Sequence, residues 1–301
     1  MLASGRSRFG SFRVTDWQHE WVRTFCIAIV LIQLAGGFGL LRQFDWAING
    51  WPMPDVRMTY IFLASIAAAI AAPCAWVAWR NELGALRAIG FELMIGVPAV
   101  GLYLLGLAAD RRERGLALAG IALLVFGAVW AVIFWWSRQV PLRNSRPLPG
   151  VIRASFAGFC AILVVVGGAL TAQVDNVFPW TISPEMSTVI GLIFLSAALL
   201  FGWVVAHPEW AYGEMSLTGF LAYDLVLSIP YLDLWRNRND IATVTSYYGG
   251  STVYSGASDN GVNELSLAVY MIVLAISAVL AVGMYVWRLA KPPAPLMAHG
   301  G

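Results

Sequence analysis

The chain is 301 residues long, 59% apolar and only 12% charged, with a formal net charge of +2. Charge this sparse, against roughly 25% in soluble domains, together with a mean hydropathy of +0.71, makes lipid the solvent. It excludes an ordinary soluble enzyme and a basic nucleic-acid binder.

A spanning helix needs about 20 mainly apolar residues. Eight stretches qualify: 22–42, 58–79, 88–107, 116–136, 151–171, 186–206, 215–235 and 265–287. Connections are short, the longest covering 236–264, so no soluble catalytic domain fits between spans. Ahead of the first span, Thr15 and Gln18 have capping-box spacing, and Trp17 and Trp21 suit the headgroup layer. This predicts a short interfacial helix leading into an uncleaved first span, either a simple anchor or a partner-docking arm.

Two similar loops follow spans one and five: Gln43-Phe44-Asp45-Trp46 to Trp51-Pro52-Met53-Pro54-Asp55, and Gln173-Val174-Asp175 to Phe178-Pro179-Trp180-Thr181-Ile182-Ser183-Pro184-Glu185. In each, a proline at the first helical position followed by an acid predicts a helix N-terminus, where the missing amide is harmless and negative charge is favoured. Ser183 is the expected N-cap. The second loop, continuing through Gly191 to Glu209-Trp210, resembles a Pro-Trp-x-x-x-Pro pattern recurring in uncharacterised bacterial multi-span membrane proteins. The first copy departs from that pattern at Trp51-Pro52-Met53-Pro54. The resemblance implies a multi-span fold and no particular activity.

Spans two and six are rich in small residues. Ala64, Ala68 and Ala72 form a stripe that lets another backbone approach, and Ser65 and Ser196 are expected to bond back to their helix or across to a neighbour. Cys26, Cys74 and Cys160 fall inside spans as small apolar residues, so no disulfide framework is expected.

Spans three and seven carry the acids Glu92 and Asp224. A carboxylate at mid-membrane costs roughly 3 kcal/mol, so such groups face a bundle interior or a wet cavity. Protonation relieves that cost, which suits a buried acid to proton carriage. Helical spacing puts Asp224 on one face with Ser228, Tyr231 and Trp235, and Glu92 on one face with Gly96 and Ala99, where another helix can approach. Pro98 and Pro230, each six residues after its acid, free the carbonyls of Met94 and Val226 and predict kinks. The plainer reading makes Glu92 an interfacial group and Asp224 a structural hydrogen-bond partner.

Between spans seven and eight, 236–264 has no counterpart in the first half. Its Thr243 to Tyr254 run, β-branched and aromatic about a Gly-Gly, predicts a hairpin. Two readings stand for this insertion, an external lid or docking surface and a tolerated loop. The histidines are His19, His207 and His299, unpaired on any span, which leaves no metal or haem ligand set. No hydrolase, zinc-protease, Walker or dinucleotide motif occurs.

Shifting the chain by 130 residues superimposes Arg23 on Arg153, Gly37 on Gly167, Gln43 on Gln173, Asp45 on Asp175 and Pro54 on Pro184; shifting by 132 superimposes Glu82 on Glu214, Glu92 on Asp224 and Pro98 on Pro230. The expected fold is therefore an all-α polytopic membrane protein of about eight transmembrane helices in two tandem four-helix repeats. They would share one orientation about a pseudo-two-fold axis along the membrane normal. The expected division is an N-terminal interfacial segment 1–21, repeats 22–150 and 151–288, the second holding the 236–264 loop, and a tail 289–301. With an inside N-terminus, twelve of the 19 basic residues fall inside and seven outside, which places both termini in the cytoplasm of a bacterial-type inner membrane. The cluster Arg111, Arg112 and Arg114 dissents.

The leading expectation for function is a proton- or cation-coupled carrier of a small solute, with Glu92 and Asp224 coupling and Ser228 and Tyr231 beside Asp224. The competing one is a non-catalytic membrane subunit that docks a partner through small-residue faces or the 236–264 loop. The expected partners are the lipid bilayer and, for a carrier, a solute or protons. No catalytic residue, cofactor, metal or nucleic acid is expected.

Overall fold

The computed structural model describes residues 16–180, 182–236 and 263–290. Within them the chain forms α1 (Asp16–Arg42), a short α2 (Asp45–Gly50), α3 (Arg57–Arg80), a 3-10 turn (Leu83–Ala85), α4 (Leu86–Arg111), α5 (Arg114–Ser137), α6 (Gly150–Thr171), α7 (Pro184–Ala206), α8 (Trp210–Arg236) and α9 (Glu264–Ala290). All but α2 and the turn are long and apolar enough to cross a membrane, which gives eight spans among the described residues. In hydrocarbon a helix is the form that satisfies its own backbone, so each apolar run closes into one. Among the described residues the fold is all-helical, that of a multi-pass membrane protein. Trp17 and Trp21 lie on α1 itself, which runs unbroken from Asp16, and both are exposed. Thr15 and the hairpin expected over 243–254 fall outside the described residues.

The ends of the spans show how local sequence stops each helix. α1 and α6 end alike: Gln43 and Gln173 turn left-handed, at φ 55 and 57. Their amides donate to Leu40 and Leu170, and the next amides, of Phe44 and Val174, reach back to Gly39 and Ala169. This closing pattern satisfies carbonyls that a helix end would otherwise strand. α7 begins as its sequence predicts, with Pro184 in the first turn and the Ser183 hydroxyl accepting from the Met186 amide.

The first copy of that junction differs from expectation. α3 starts at Arg57, so Pro54 and Asp55 precede the helix. Asp55 instead lies one residue ahead of the N-cap Val56, and its carboxylate links the start of α3 to the junction before α7. Oδ1 accepts from the Val56 amide and the Thr59 hydroxyl, at 2.7 and 2.9 Å, and Oδ2 accepts from Ser183.

Helices pack where glycine removes a side chain. α1 lies on α3 with Gly37 over Ala64 and Ala67, and α6 lies on α7 with Gly167 against Gly191 and Leu195. Ala64 thus serves as the small-residue stripe predicts, with Ala67 as its companion, while Ala68 and Ala72 are half-buried. α4 packs on α5 through Gly101 and Gly120, each near the other's carbonyl, and through Gly127, which receives the ring of Pro98. α8 packs on α9. Two main contacts join the early and late spans: α3 on α8, where the Pro73 ring seats on Gly219, and α4 on α7, where Gly96 meets Ser196. α3, α4 and α8 continue as helices through Pro73, Pro98 and Pro230.

Two apolar cores result. One, around Cys26, Leu86, Trp130, Phe156 and Tyr212, lies toward the end carrying the connections at 81–85, 138–149 and 207–209. The other, around Met58, Phe62, Trp180, Ile190 and Tyr231, lies toward the opposite end. There α9 is docked at its start, where Asn263 donates its amide to Pro179 and Ser266 its hydroxyl to Asn176.

Candidate functional site

Asp224 sits in α8 and is buried. Its Oδ2 accepts from the Ser277 hydroxyl of α9 at 2.6 Å, and the same hydroxyl lies 2.9 Å from the Leu274 carbonyl. Oδ1 has no hydrogen-bond partner among the described residues. The Tyr223 phenol lies near Asp224 and near the Tyr270 phenol, and the Tyr270 hydroxyl likewise has no partner among the described residues. The Ser228 hydroxyl donates to the Asp224 backbone carbonyl at 2.6 Å. Tyr231 is fully buried and packs its ring against Trp180 and Tyr270.

Glu92 is half-buried in α4. Its face is approached by another helix, as its spacing with Gly96 predicts: a β-carbon on Gly96 would lie 1.8 Å from the Ser196 Oγ. The Ser196 hydroxyl donates to the Glu92 carbonyl at 3.2 Å. Ser65 bonds back within α3, to Phe62 at 2.6 Å. The thiols of Cys26 and Cys74 lie against each other beside Glu92. Glu92 and Asp224 therefore occupy separate surroundings, one beside α1, α3 and α7, the other beside α9.

A further polar site emerges from residues that sequence reasoning did not single out as functional. Where α3 ends and α8 begins, a cleft of about 320 Å³ is lined by Trp76, Trp79, Arg80, Glu82, Arg143, Asn144 and Glu214. Both glutamates are buried. Glu82 accepts from the Arg143 backbone amide at 2.6 Å, and the Asn144 amide also faces it. Glu214 accepts from the Trp210 indole at 3.1 Å and lies 3.8 Å from the Arg80 guanidinium. Burial pushes the Glu82 carboxyl above its ordinary range, against the pull of Arg143 and Asn144 and with a further push from Glu214. The signal was present in the sequence, since Glu82 and Glu214 superimpose at the same 132-residue shift as Glu92 and Asp224.

A second, open cavity of about 610 Å³ lies at the opposite end beside Asn49, Trp51, Pro54 and Glu113. Neither cavity is lined by Glu92 or Asp224. Among the described residues, no group of three or more His, Cys, Asp or Glu is arranged to hold a metal ion.

Fold and site together define a polytopic helical membrane protein with buried acids in α8 and a half-buried one in α4. No protein family, curated protein or solved structure matches the chain.

Proposed function

We propose that this protein is a proton- or cation-coupled carrier of a small solute, built from two equivalent four-helix halves, with Asp224 and Glu92 as the coupling acids. The observation that carries this reading is the buried Asp224 carboxyl, held on one oxygen by Ser277 and unpartnered on the other. A lone carboxyl in a low-dielectric span is costly to ionise, which suits it to carry a proton or to receive a cation. Several features support equivalent halves. The Gln43 and Gln173 ends match. Gly37 and Gly167 sit at corresponding crossings, and the crosswise contacts α3 with α8 and α4 with α7 exchange into one another when the halves are swapped. Four spans per half gives both the same orientation, with the axis along the membrane normal. The arginine distribution supports a bacterial-type inner membrane with both termini in the cytoplasm. The Pro-Trp-x-x-x-Pro loop remains part of this reading as a shared scaffold feature.

A second reading, a non-catalytic subunit that anchors or assembles a partner, is favoured by the filling between the halves. Phe62 meets Phe178, Trp180, Phe194 and Tyr223 at ring separations of 5.1 to 6.1 Å, a packed core of the kind a scaffold needs. The deciding experiment uses proteoliposomes loaded with a pH-sensitive dye and offered a panel of amino acids, sugars and organic cations. Coupled carriage gives solute-dependent proton movement that Asp224→Asn and Glu92→Gln abolish. If both variants move solute fully and independently of pH, coupling through these acids is lost. If no solute moves protons and a partner co-purifies, the second reading replaces the first.

A further inference from the structure

The cleft between the end of α3 and the start of α8 has walls of both signs. Glu82 and Glu214 lie at its buried base. Arg80, with its side chain 43% exposed, and Arg143, also exposed, stand at the mouth beside Asn144. A simple anion entering it meets two carboxylates, and a simple cation meets two guanidiniums. Only a ligand with both charges is attracted at both ends.

We propose that this cleft binds a small zwitterion, a primary ammonium joined to a phosphate or carboxylate, with the ammonium toward Glu82 and Glu214 and the oxyanion on Arg143 and Arg80. Guanidinium forks suit the oxygens of an oxyanion. The rings of Trp76 and Trp79 line the same space and offer faces that attract an ammonium. The volume, about 320 Å³, lies at the small end of ligand pockets, which run from about 300 to 1,000 Å³. The site's asymmetry has a structural source: Arg143 and Asn144 come from the connection between α5 and α6, laid across the end of α3. The same chemistry belongs to a free metabolite and to the headgroup of a zwitterionic phospholipid. Trp79, 86% exposed at the cleft, puts the opening beside lipid.

This assignment does not rest on the carrier reading, and its test uses no transport. The full chain is placed in phosphatidylglycerol nanodiscs. One arm dopes in phosphatidylethanolamine and reads lipid retained on the protein by native mass spectrometry. The other titrates free O-phosphoethanolamine by calorimetry against glycerol phosphate and ethanolamine, each of which carries one of the two charges. Retention in the first arm identifies a headgroup site, and binding in the second a soluble ligand. In either, the two-charge probe is expected to bind at least about tenfold tighter than the single-charge probes, and Arg143→Gln and Glu214→Gln each to weaken it about tenfold. Should Glu214→Gln fail to fold, Arg143→Gln, an exposed side chain, decides alone. Binding in neither arm, equal affinity for single-charge probes, or indifference to Arg143→Gln overturns the proposal.

Discussion

Ser183 and Asp55, 128 residues apart in the chain, are joined twice: the Ser183 hydroxyl and amide both donate to Asp55 Oδ2, at 3.0 and 3.3 Å. The same carboxylate holds the start of α3 through Val56 and Thr59. The Thr59 hydroxyl in turn accepts from the Trp180 indole at 3.1 Å. One acid thus ties two helix starts and an aromatic core together. Hydrogen bonds to a charged group are worth about 1.5–3 kcal/mol, so Asp55→Ala is expected to lower stability by about 2–3 kcal/mol. Thermal melting in detergent checks it. An effect within error would mean that the junction is held by packing alone.

At the same end, Arg111 and Glu185 form an ion pair with side chains 48% and 28% exposed. Solvent screening leaves such a pair worth less than about 1 kcal/mol. Glu185→Ala should therefore shift the melting midpoint far less than Asp55→Ala, although both remove one carboxylate from the start of a span.

Gly96→Ala tests the contact of α4 with α7. The added carbon would sit 1.8 Å from Ser196 Oγ and 2.2 Å from its Cβ, so the helices must separate. Overpacking of this kind costs about 1–3 kcal/mol. Ser196→Gly removes both obstructing atoms, and the double variant is expected to melt above Gly96→Ala alone. A double variant no better than the single would show that the two sites do not share this contact.

Glu82 makes stability depend on pH. Burial raises its folded pKa above the unfolded value, so the native state binds the proton more tightly than the unfolded state does. Its stabilising contribution is full below the ordinary carboxylate range, at about pH 4, and is lost as pH rises through the raised value. The groups facing it are Arg80, Arg143, Asn144 and Glu214. Glu82→Gln should flatten the decline in melting temperature between mildly acidic and neutral pH, and an unchanged slope would assign the decline to another group.

The spans themselves were legible because an apolar run of the right length has one structural outcome in lipid. Their ends moved outward by a few residues where turns and caps extend them, as at Trp210 and Asp16. Less was legible where tertiary partners decide. Pro54-Asp55 and Pro184-Glu185 read alike, yet Asp55 lies ahead of α3, where its carboxylate also meets Ser183, the N-cap of another span. Glu82 and Glu214 were visible as a matched pair, but their meeting in one cleft depends on how α3 crosses α8 and on a connection folded over both. Ser228 shares a face with Asp224 on helical spacing, and its hydroxyl, one turn along, bonds the Asp224 backbone carbonyl of its own helix, a choice that spacing alone does not specify.

The crosswise seating of Pro73 on Gly219, and of Gly96 on Ser196, has a consequence for biosynthesis. While the ribosome is still making the later spans, α3 and α4 wait in the bilayer with their glycine and proline notches facing acyl chains. A nascent chain arrested after α5 would therefore expose unfilled grooves to membrane quality-control proteases. Supplying the remaining spans as a separate polypeptide should protect it.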